Sequence, residues 1–373
     1  MDALILSCST GGGHNAAGEA ILQELQHRGH SARMLDPYTL TNSRLDSHVG
    51  QSYVNLVKHA PGAFGALYSM GNAYRKLPIH SPVYHLNGKM APLMEQFFRE
   101  NHFDAVISTH IFPAQILASM KEKGMTVPKS VLVATDYTCI PFTEESCCDW
   151  YVVPSQDLTE EFSHWGIPQK KILPLGIPVS RAFFPDMSRQ EKRELACNTL
   201  GLDSQEHYLL LSSGSMGAGN LSLTIELLLK HFTPKDHIKL IVVCGSNHKL
   251  YEKLSARYQE KLLLVGHTNQ MADYMNACDF ILTKPGGLSS TEAAVSGTPM
   301  IHLASIPGCE SHNLDYFEHH GMSLGVRNPL KELIPAVEKL RSSAVRQRIR
   351  DNQSLFVSPH AAHDICDLVE QIC

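Results

Sequence analysis

Two short segments carry residue types and spacings that suit chemistry on an anionic ligand. In the first, Ser9-Thr10-Gly11-Gly12-Gly13-His14 follows an apolar run at Ala3–Cys8. A helical pattern comes next, with Ala17, Ile21, Leu22 and Leu25 on one face. Consecutive glycines let the backbone turn sharply, and at Gly12 and Gly13 they let a ligand come close to it. The helix start behind them offers unpaired N–H groups and a partial positive charge. The run is neither a spaced G-x-G-x-x-G nor a Walker A sequence, so it does not by itself specify a dinucleotide, and a tight turn without chemistry is the alternative. His14 adds a group that accepts a proton near neutral pH, and a helix N-terminus keeps such an imidazole neutral.

In the second segment an apolar run at Phe280–Thr283 leads into Lys284-Pro285-Gly286-Gly287-Leu288-Ser289-Ser290-Thr291-Glu292. Pro285 stops a strand, the glycines turn the chain, and Ser289, Ser290 or Thr291 either cap the helix that follows or donate to an anion. Glu292 then falls in the first helical turn. There it serves either as a carboxylate for the two hydroxyls of a ribose or as a dipole-favoured acid without chemistry.

These segments need elements to position them. Short apolar runs alternate with longer amphipathic stretches, the signal for βαβ units and parallel sheets. Strands are predicted at Ala3–Cys8, Ala32–Leu35, Ala105–Ser108, Val131–Ala134 and Trp150–Val153. After a break across Gly176-Ile177-Pro178 and a charged helix at Ser188–Leu200, they resume. The second set lies at Tyr208–Ser212, Leu240–Cys244, Leu262–Val265, Phe280–Thr283, Met300–Leu303 and Met322–Gly325. An α/β fold of two Rossmann-like, doubly wound domains facing a cleft is expected, at 1–178 and 179–357. A helix at 358–373 has the first domain as its candidate docking surface. Ligands of such sheets sit beyond the carboxyl ends of the strands.

Composition narrows the class. A chain of 373 residues with 43% hydrophobic and 18% charged residues is globular and long enough for two cores. A net charge of −5 argues against nucleic acid as a partner. Ten scattered cysteines, with Cys147 and Cys148 adjacent, suit free thiols in a reducing compartment better than a disulfide scaffold. The start Met1-Asp2-Ala3-Leu4 reads as a strand rather than a leader peptide, and no apolar run is long enough to span a bilayer. A cytoplasmic protein is expected.

Taken together, the two segments resemble the GT-B glycosyltransferases of family 28. The likeness is to monogalactosyldiacylglycerol synthases and processive diacylglycerol β-glucosyltransferases. Ser9–His14 resembles their S-T-G-G-G-H motif, and Lys284–Glu292 with Gly297-Thr298-Pro299 resembles their nucleotide segment. Ile306–Asn313 resembles their I-P-G-Q-E-x-x-N loop, with Cys309 in place of the glutamine. The resemblance implies an inverting, metal-independent transfer of a hexose from a UDP-sugar to a lipid acceptor, diacylglycerol or its glycosylated form. No cofactor is expected, and no D-x-D run is placed to hold a metal. On the same basis Glu292 binds the ribose and Gly286, Gly287, Leu288, Ser289 and Ser290 hold the diphosphate beside Lys284. Glu310 and Asn313 meet the sugar or a phosphate, and Gly266, His267 and Met271 hold the uracil. Ser213, Gly214, Ser215 and Met216 stand where the family carries a further phosphate loop, with a looser match. A transferase acting on a polyprenyl-linked or soluble acceptor, or a UDP-sugar sensor without catalysis, is the alternative.

On the acceptor side His110 either orients the acceptor and assists His14 or starts a helix. Asp136 binds an acceptor hydroxyl, raises the basicity of a histidine, or caps a strand end. The stretch from Ser47 to Met94 has no acidic residue yet carries Lys58, Arg75, Lys76 and Lys89. Phe64, Leu67, Tyr68 and Tyr74 share a predicted helical face there, with Met70 beside it. Such a segment suits peripheral attachment to an anionic membrane surface on its cytoplasmic face, or packs as a helical insertion, or does both on different faces.

Overall fold

The computed structural model describes residues 1–8, 12–40, 68, 70–212, 221–258, 261–303 and 308–373. It divides into two compact units, Met1–Ser180 with Ser358–Cys373, and Arg181–Ser305 with Glu310–Val357. In the first unit β1 (Asp2–Leu6) leads into α1 (Gly12–His27) and β2 (Ser31–Leu35). Then follow α2 (Pro82–Asn87), α3 (Ala91–Glu100), β3 (Ala105–Ser108), α4 (Ile111–Glu122), β4 (Lys129–Val133), β5 (Trp150–Val152), α5 (Thr159–His164) and β6 (Ile172–Leu173). The strands form one parallel sheet in the order β2-β1-β3-β4-β5-β6.

The alternation along β1 shows why this sheet is covered on both faces. Ala3 and Ile5 pack in one core with Ile21 and Leu25 of α1. Leu4 and Leu6 pack in the other with Met94, Ile116 and Leu117. An uninterrupted apolar strand is the mark of a buried parallel sheet, where neither face meets water.

The second unit repeats the plan. It runs α6 (Arg189–Leu200), β7 (His207–Ser212), α7 (Leu221–His231), β8 (Ile238–Val243), α8 (His248–Tyr258), β9 (Leu262–Val265), α9 (Met271–Ala277), β10 (Phe280–Thr283) and α10 (Gly287–Val295). It continues with β11 (Met300–Leu303), α11 (Cys309–His319), β12 (Ser323–Val326), α12 (Pro329–Arg341) and α13 (Ser343–Phe356). Its parallel sheet has the order β12-β11-β10-β7-β8-β9. The chain then returns to the first unit as α14 (Ala361–Ile372), whose Ile365, Cys366 and Val369 enter the core of Ala3 and Ile5. Arg28 fastens it by ion pairs to Asp367 and Glu370. Gly176 lies in the left-handed region at φ 100°, and a Cβ there would stand 3.0 Å from that of Ala361. Only glycine satisfies both demands.

Two sequence expectations are revised in detail. β6, only two residues long, is too short to show as an apolar run. Met322 belongs not to β12 but to the turn that closes α11, because its N–H bonds the Phe317 carbonyl while Gly321 takes a left-handed φ of 63°. All ten cysteines are free.

In the acid-free stretch, residues 47–67 and 69 lie outside the described residues, so the expected face of Phe64 and Leu67 and the placement of Lys58 do too. Residues 70–74 are helical. Arg75 corrects the expected surface charge: its side chain has no exposed area, pairs with Glu144 and lies 3.7 Å over the Trp165 ring. Lys76 and Lys89 are exposed, as are Met70, Leu77, Ile79 and Leu86.

Ile365→Ala should leave a cavity beneath β1 and destabilise the protein by about 2–5 kcal/mol, read from the urea midpoint. A change below about 0.5 kcal/mol would mean that α14 is not part of the first core.

Candidate active site

Three adjacent strands of the first unit deliver the site. β1 is followed by Gly12, Gly13 and His14, β3 by Thr109 and His110, and β4 by Thr135 and Asp136. The structure thus gathers the three residues expected to be catalytic, and His14, His110 and Asp136 line one pocket with Thr109 and Thr135. Gly12 and Gly13 open α1, while Ser9, Thr10 and Gly11 lie outside the described residues.

The hydrogen bonds fix the state of His14. Its Nδ1 is 2.9 Å from the carbonyl oxygen of Thr109. A carbonyl only accepts, so Nδ1 carries the proton and Nε2 keeps the lone pair. The Thr135 hydroxyl oxygen, also 2.9 Å from Nδ1, shares that donor. Thr109 in turn donates its hydroxyl to the His14 carbonyl at 3.0 Å, locking the helix start to β3. Sequence reasoning missed both threonines. Their signal was their position, one residue beyond β3 for Thr109 and two beyond β4 for Thr135.

His110 is the N-cap of α4, its Nδ1 accepting the Phe112 N–H at 3.1 Å. It therefore starts a helix and packs against His14 at once: the two rings meet edge to face, 4.4 Å apart. Burial holds His110 well below the ordinary histidine range, and a charge on His14 would push it lower. Burial also lowers the pKa of His14, against the pull of Asp136 and the Thr109 carbonyl, which favour its charged form. The result is an imidazole neutral at rest with a carboxylate near enough to stabilise the proton once taken.

In the second unit, the carboxyl end of β10 turns through Lys284–Gly286 into α10, with Gly286 as N-cap. Lys284 pairs with Glu310 at the start of α11. Asn313, fully buried, donates to the Pro285 carbonyl at 3.0 Å. In this structure these two expected sugar contacts brace the turn. Ser290 needs a firmer correction, because its buried hydroxyl is 2.9 Å from His302 Nε2, and His302 Nδ1 is 3.1 Å from the Ser323 hydroxyl. Burial pushes His302 down to about 3, so it is a neutral link between α10, β11 and β12. The Leu288 side chain is likewise buried in the core, which leaves only its backbone N–H, in the first turn of α10, to face a ligand. Ser289, half-buried, donates to the Gly286 carbonyl at 3.3 Å.

Glu292 is half-buried, and its carboxyl has no hydrogen-bond or ion-pair partner among the described residues. Burial pushes its carboxyl up to about 8. Gly266, His267 and Met271 follow β9 at the far edge of the same sheet, with His267 exposed. Ser213, Gly214, Ser215 and Met216, after β7, lie outside the described residues. Gly266–Met271, Lys284–Glu292 and Glu310–Asn313 all follow carboxyl ends of strands, the ligand-bearing edge of a doubly wound sheet. Among the described residues, those whose side chains come together as metal ligands do are His363, Asp364 and Asp367 of α14, outside both motifs.

Residues 14–179 match the family model for monogalactosyldiacylglycerol (MGDG) synthase. Residues 208–365 match the glycosyltransferase family 28 C-terminal domain. A processive diacylglycerol beta-glucosyltransferase of Bacillus licheniformis is 24% identical, over 99% of this chain and 94% of its own. A probable chloroplastic monogalactosyldiacylglycerol synthase of Glycine max is 28% identical, over 99% of this chain and 71% of its own. Among solved structures, Acinetobacter baumannii MurG superposes with a TM-score of 0.61 at 14% identity, over 99% of both chains. At that identity the likeness speaks for the fold alone, which is GT-B.

A carboxyl whose pKa is raised by folding keeps a proton that the unfolded chain has lost, so stability falls as pH climbs from about 4.5 towards about 8. Glu292→Gln should flatten that slope and be more stable than the parent at pH 8, by urea unfolding at pH 5 and pH 8. Equal slopes would show that Glu292 is not held protonated.

Proposed function

The chain belongs to glycosyltransferase family 28, and from that premise we propose an inverting, metal-independent transfer of a hexose from a UDP-sugar to a diacylglycerol-type lipid at a membrane surface. It is a UDP-sugar-dependent hexosyltransferase of glycolipid synthesis. The observation that carries the mechanism is the tautomer of His14, whose proton is tied to the Thr109 carbonyl and whose Nε2 is left basic.

In this reading Nε2 takes the proton of the acceptor hydroxyl as its oxygen attacks the anomeric carbon. The bond from that carbon to the diphosphate oxygen breaks on the opposite face, and UDP leaves with the electron pair. Asp136 stabilises the imidazolium that forms. Positioned proton transfer of this kind contributes about 10²–10⁴-fold. The second unit supplies the nucleotide groups. The unpaired N–H groups of the first turn of α10 and the partial positive charge behind them offset charge growing on the diphosphate. The Glu292 carboxyl, without a partner among the described residues, accepts the ribose hydroxyls.

Attachment to the surface is supported by exposed Met70 (66%), Leu77 (51%), Ile79 (59%) and Leu86 (51%), with Lys76 and Lys89 between and beside them. Apolar side chains that enter the headgroup layer beside cations suit an anionic leaflet. Among the described residues no helix is long and apolar enough to cross a membrane. We place the enzyme peripherally on the cytoplasmic face, where UDP-sugars and anionic lipids meet.

Incubation with each UDP-sugar and mixed lipids, followed by mass spectrometry, should yield a hexosyl-diacylglycerol of inverted anomeric configuration, undiminished by EDTA. Products formed only on soluble or polyprenyl acceptors would replace the lipid reading. His14→Ala should lower transfer at least about 100-fold while UDP affinity stays within about twofold. Unchanged turnover would end the role of His14 as base.

Lys76→Ala and Lys89→Ala should each weaken binding to anionic vesicles by about 1 kcal/mol, roughly fivefold, at low salt. Sedimentation with vesicles reads this, and a variant that binds as the parent does would remove its lysine from the surface.

A further inference from the structure

The buried guanidinium of Arg75 belongs neither to the nucleotide groups nor to the exposed strip. It lies against the chain between β4 and β5, which carries Thr135 and Asp136 past His14. That chain holds two of the three non-glycine residues of positive φ among the described residues, Phe142 at 73° and Cys147 at 44°. Such conformations persist only where surrounding contacts impose them.

The contacts are three carboxylates and one arginine. Glu161 accepts from the Thr138 hydroxyl at 2.7 Å and from the Cys139 N–H at 2.8 Å. Glu145 accepts from the N–H and hydroxyl of Ser81, each at 2.6 Å, and from the Gln115 amide at 2.8 Å. Arg75 donates through Nη1 to the Cys139 carbonyl at 3.0 Å. Through Nε and Nη2 it donates to both oxygens of Glu144, at 3.0 and 2.6 Å. Cys139 is thus clamped from both sides, its N–H by Glu161 and its carbonyl by Arg75, three residues beyond Asp136. The backbone around Arg75 also fits closely: a Cβ on Gly71 would stand 3.1 Å from that of Pro141.

We infer that Arg75 is a positioning residue for the reaction, holding the β4–β5 chain so that Thr135 and Asp136 stay in register with His14. The inference rests on the reading of His14 as the base. Its physical ground is the cost of the arrangement. Burying an arginine and a carboxylate together adds little net stability compared with apolar side chains of similar volume, whereas the two-pronged pairing fixes geometry. A lysine is a point charge and cannot hold the Cys139 carbonyl and both Glu144 oxygens in one plane. Displacement of a supporting group by about 1 Å costs on the order of 100-fold in rate.

The test uses the full chain with UDP-sugar and lipid vesicles. Arg75→Gln should lower kcat at least about tenfold, counted per UDP-binding site, with KM for the UDP-sugar within about twofold. The groups that face His14 are the Thr109 carbonyl, His110 of α4, and Thr135 with Asp136 after β4. Moving the last two away removes the carboxylate that favours the charged imidazole, so the acid limb of the kcat/KM profile should move to lower pH. Arg75→Lys should fall between the two enzymes. A purely structural role predicts fewer folded molecules, with unchanged kcat per UDP site and an unmoved acid limb, and that result overturns the inference. If Arg75→Gln does not fold, Arg75→Lys decides by the same two readouts. His14→Ala separates the failures. Transfer that survives it removes the base and this inference together, whereas an inert His14→Ala beside a normal Arg75→Gln removes the inference alone.

Discussion

The hydrogen bond from His14 Nδ1 to the Thr109 carbonyl is the constraint on which the site depends. It requires β1 and β3 to be neighbours in parallel register, because only then do the turn after one strand and the backbone after the other meet. Ala3 pairs with Ala105 and Leu6 with Ser108, so the two strands end level. Insertion of one residue in either strand would flip its side chains between the two cores and carry Thr109 out of reach. The buried apolar faces therefore set the protonation state of a histidine at the sheet edge, a link from core packing to chemistry that passes through one carbonyl oxygen.

That link explains what could be read from the sequence and what could not. The strands were legible because both faces of each sheet are buried, which leaves unbroken apolar runs such as Ala105–Ser108 and Phe280–Thr283. His14, His110 and Asp136 were legible as chemical groups at strand ends. Their partners were not. Thr109 acts through its backbone oxygen, which every residue has, and Thr135 through a hydroxyl with no motif of its own. Which nitrogen of His14 carries the proton is a fact about a residue 95 positions away.

The nucleotide segment shows a second limit, one that helical periodicity partly removes. In α10 the positions Gly287, Ser290, Thr291 and Ala294 fall on one face at helical spacing, and that face is buried. Ser289 and Glu292, three apart, lie on the other and are both half-buried. A motif match treats all serines of the run alike, whereas the i, i+3 and i, i+4 spacing of the sequence alone separates Ser289 from Ser290. Asn313 has no such remedy. Its bond to the Pro285 carbonyl spans 28 positions, and an asparagine that braces a turn looks the same in sequence as one that meets a ligand.

Arg75 reverses the inference that charge counting invites. An acid-free stretch with four cations reads as a basic surface, but a stretch without acids can also owe its pairing to acids elsewhere, and Glu144 is 69 positions downstream. Removing Arg75 from the surface set leaves Lys76 and Lys89 among the described cations of the stretch, in which Met70, Leu77, Ile79 and Leu86 are also exposed. One short segment thus turns Gly71 and Arg75 towards the chain that supports His14, and Met70, Lys76 and Leu77 towards solvent. Its two faces meet two different environments, the solvent on one side and the chain that carries Thr135 and Asp136 on the other.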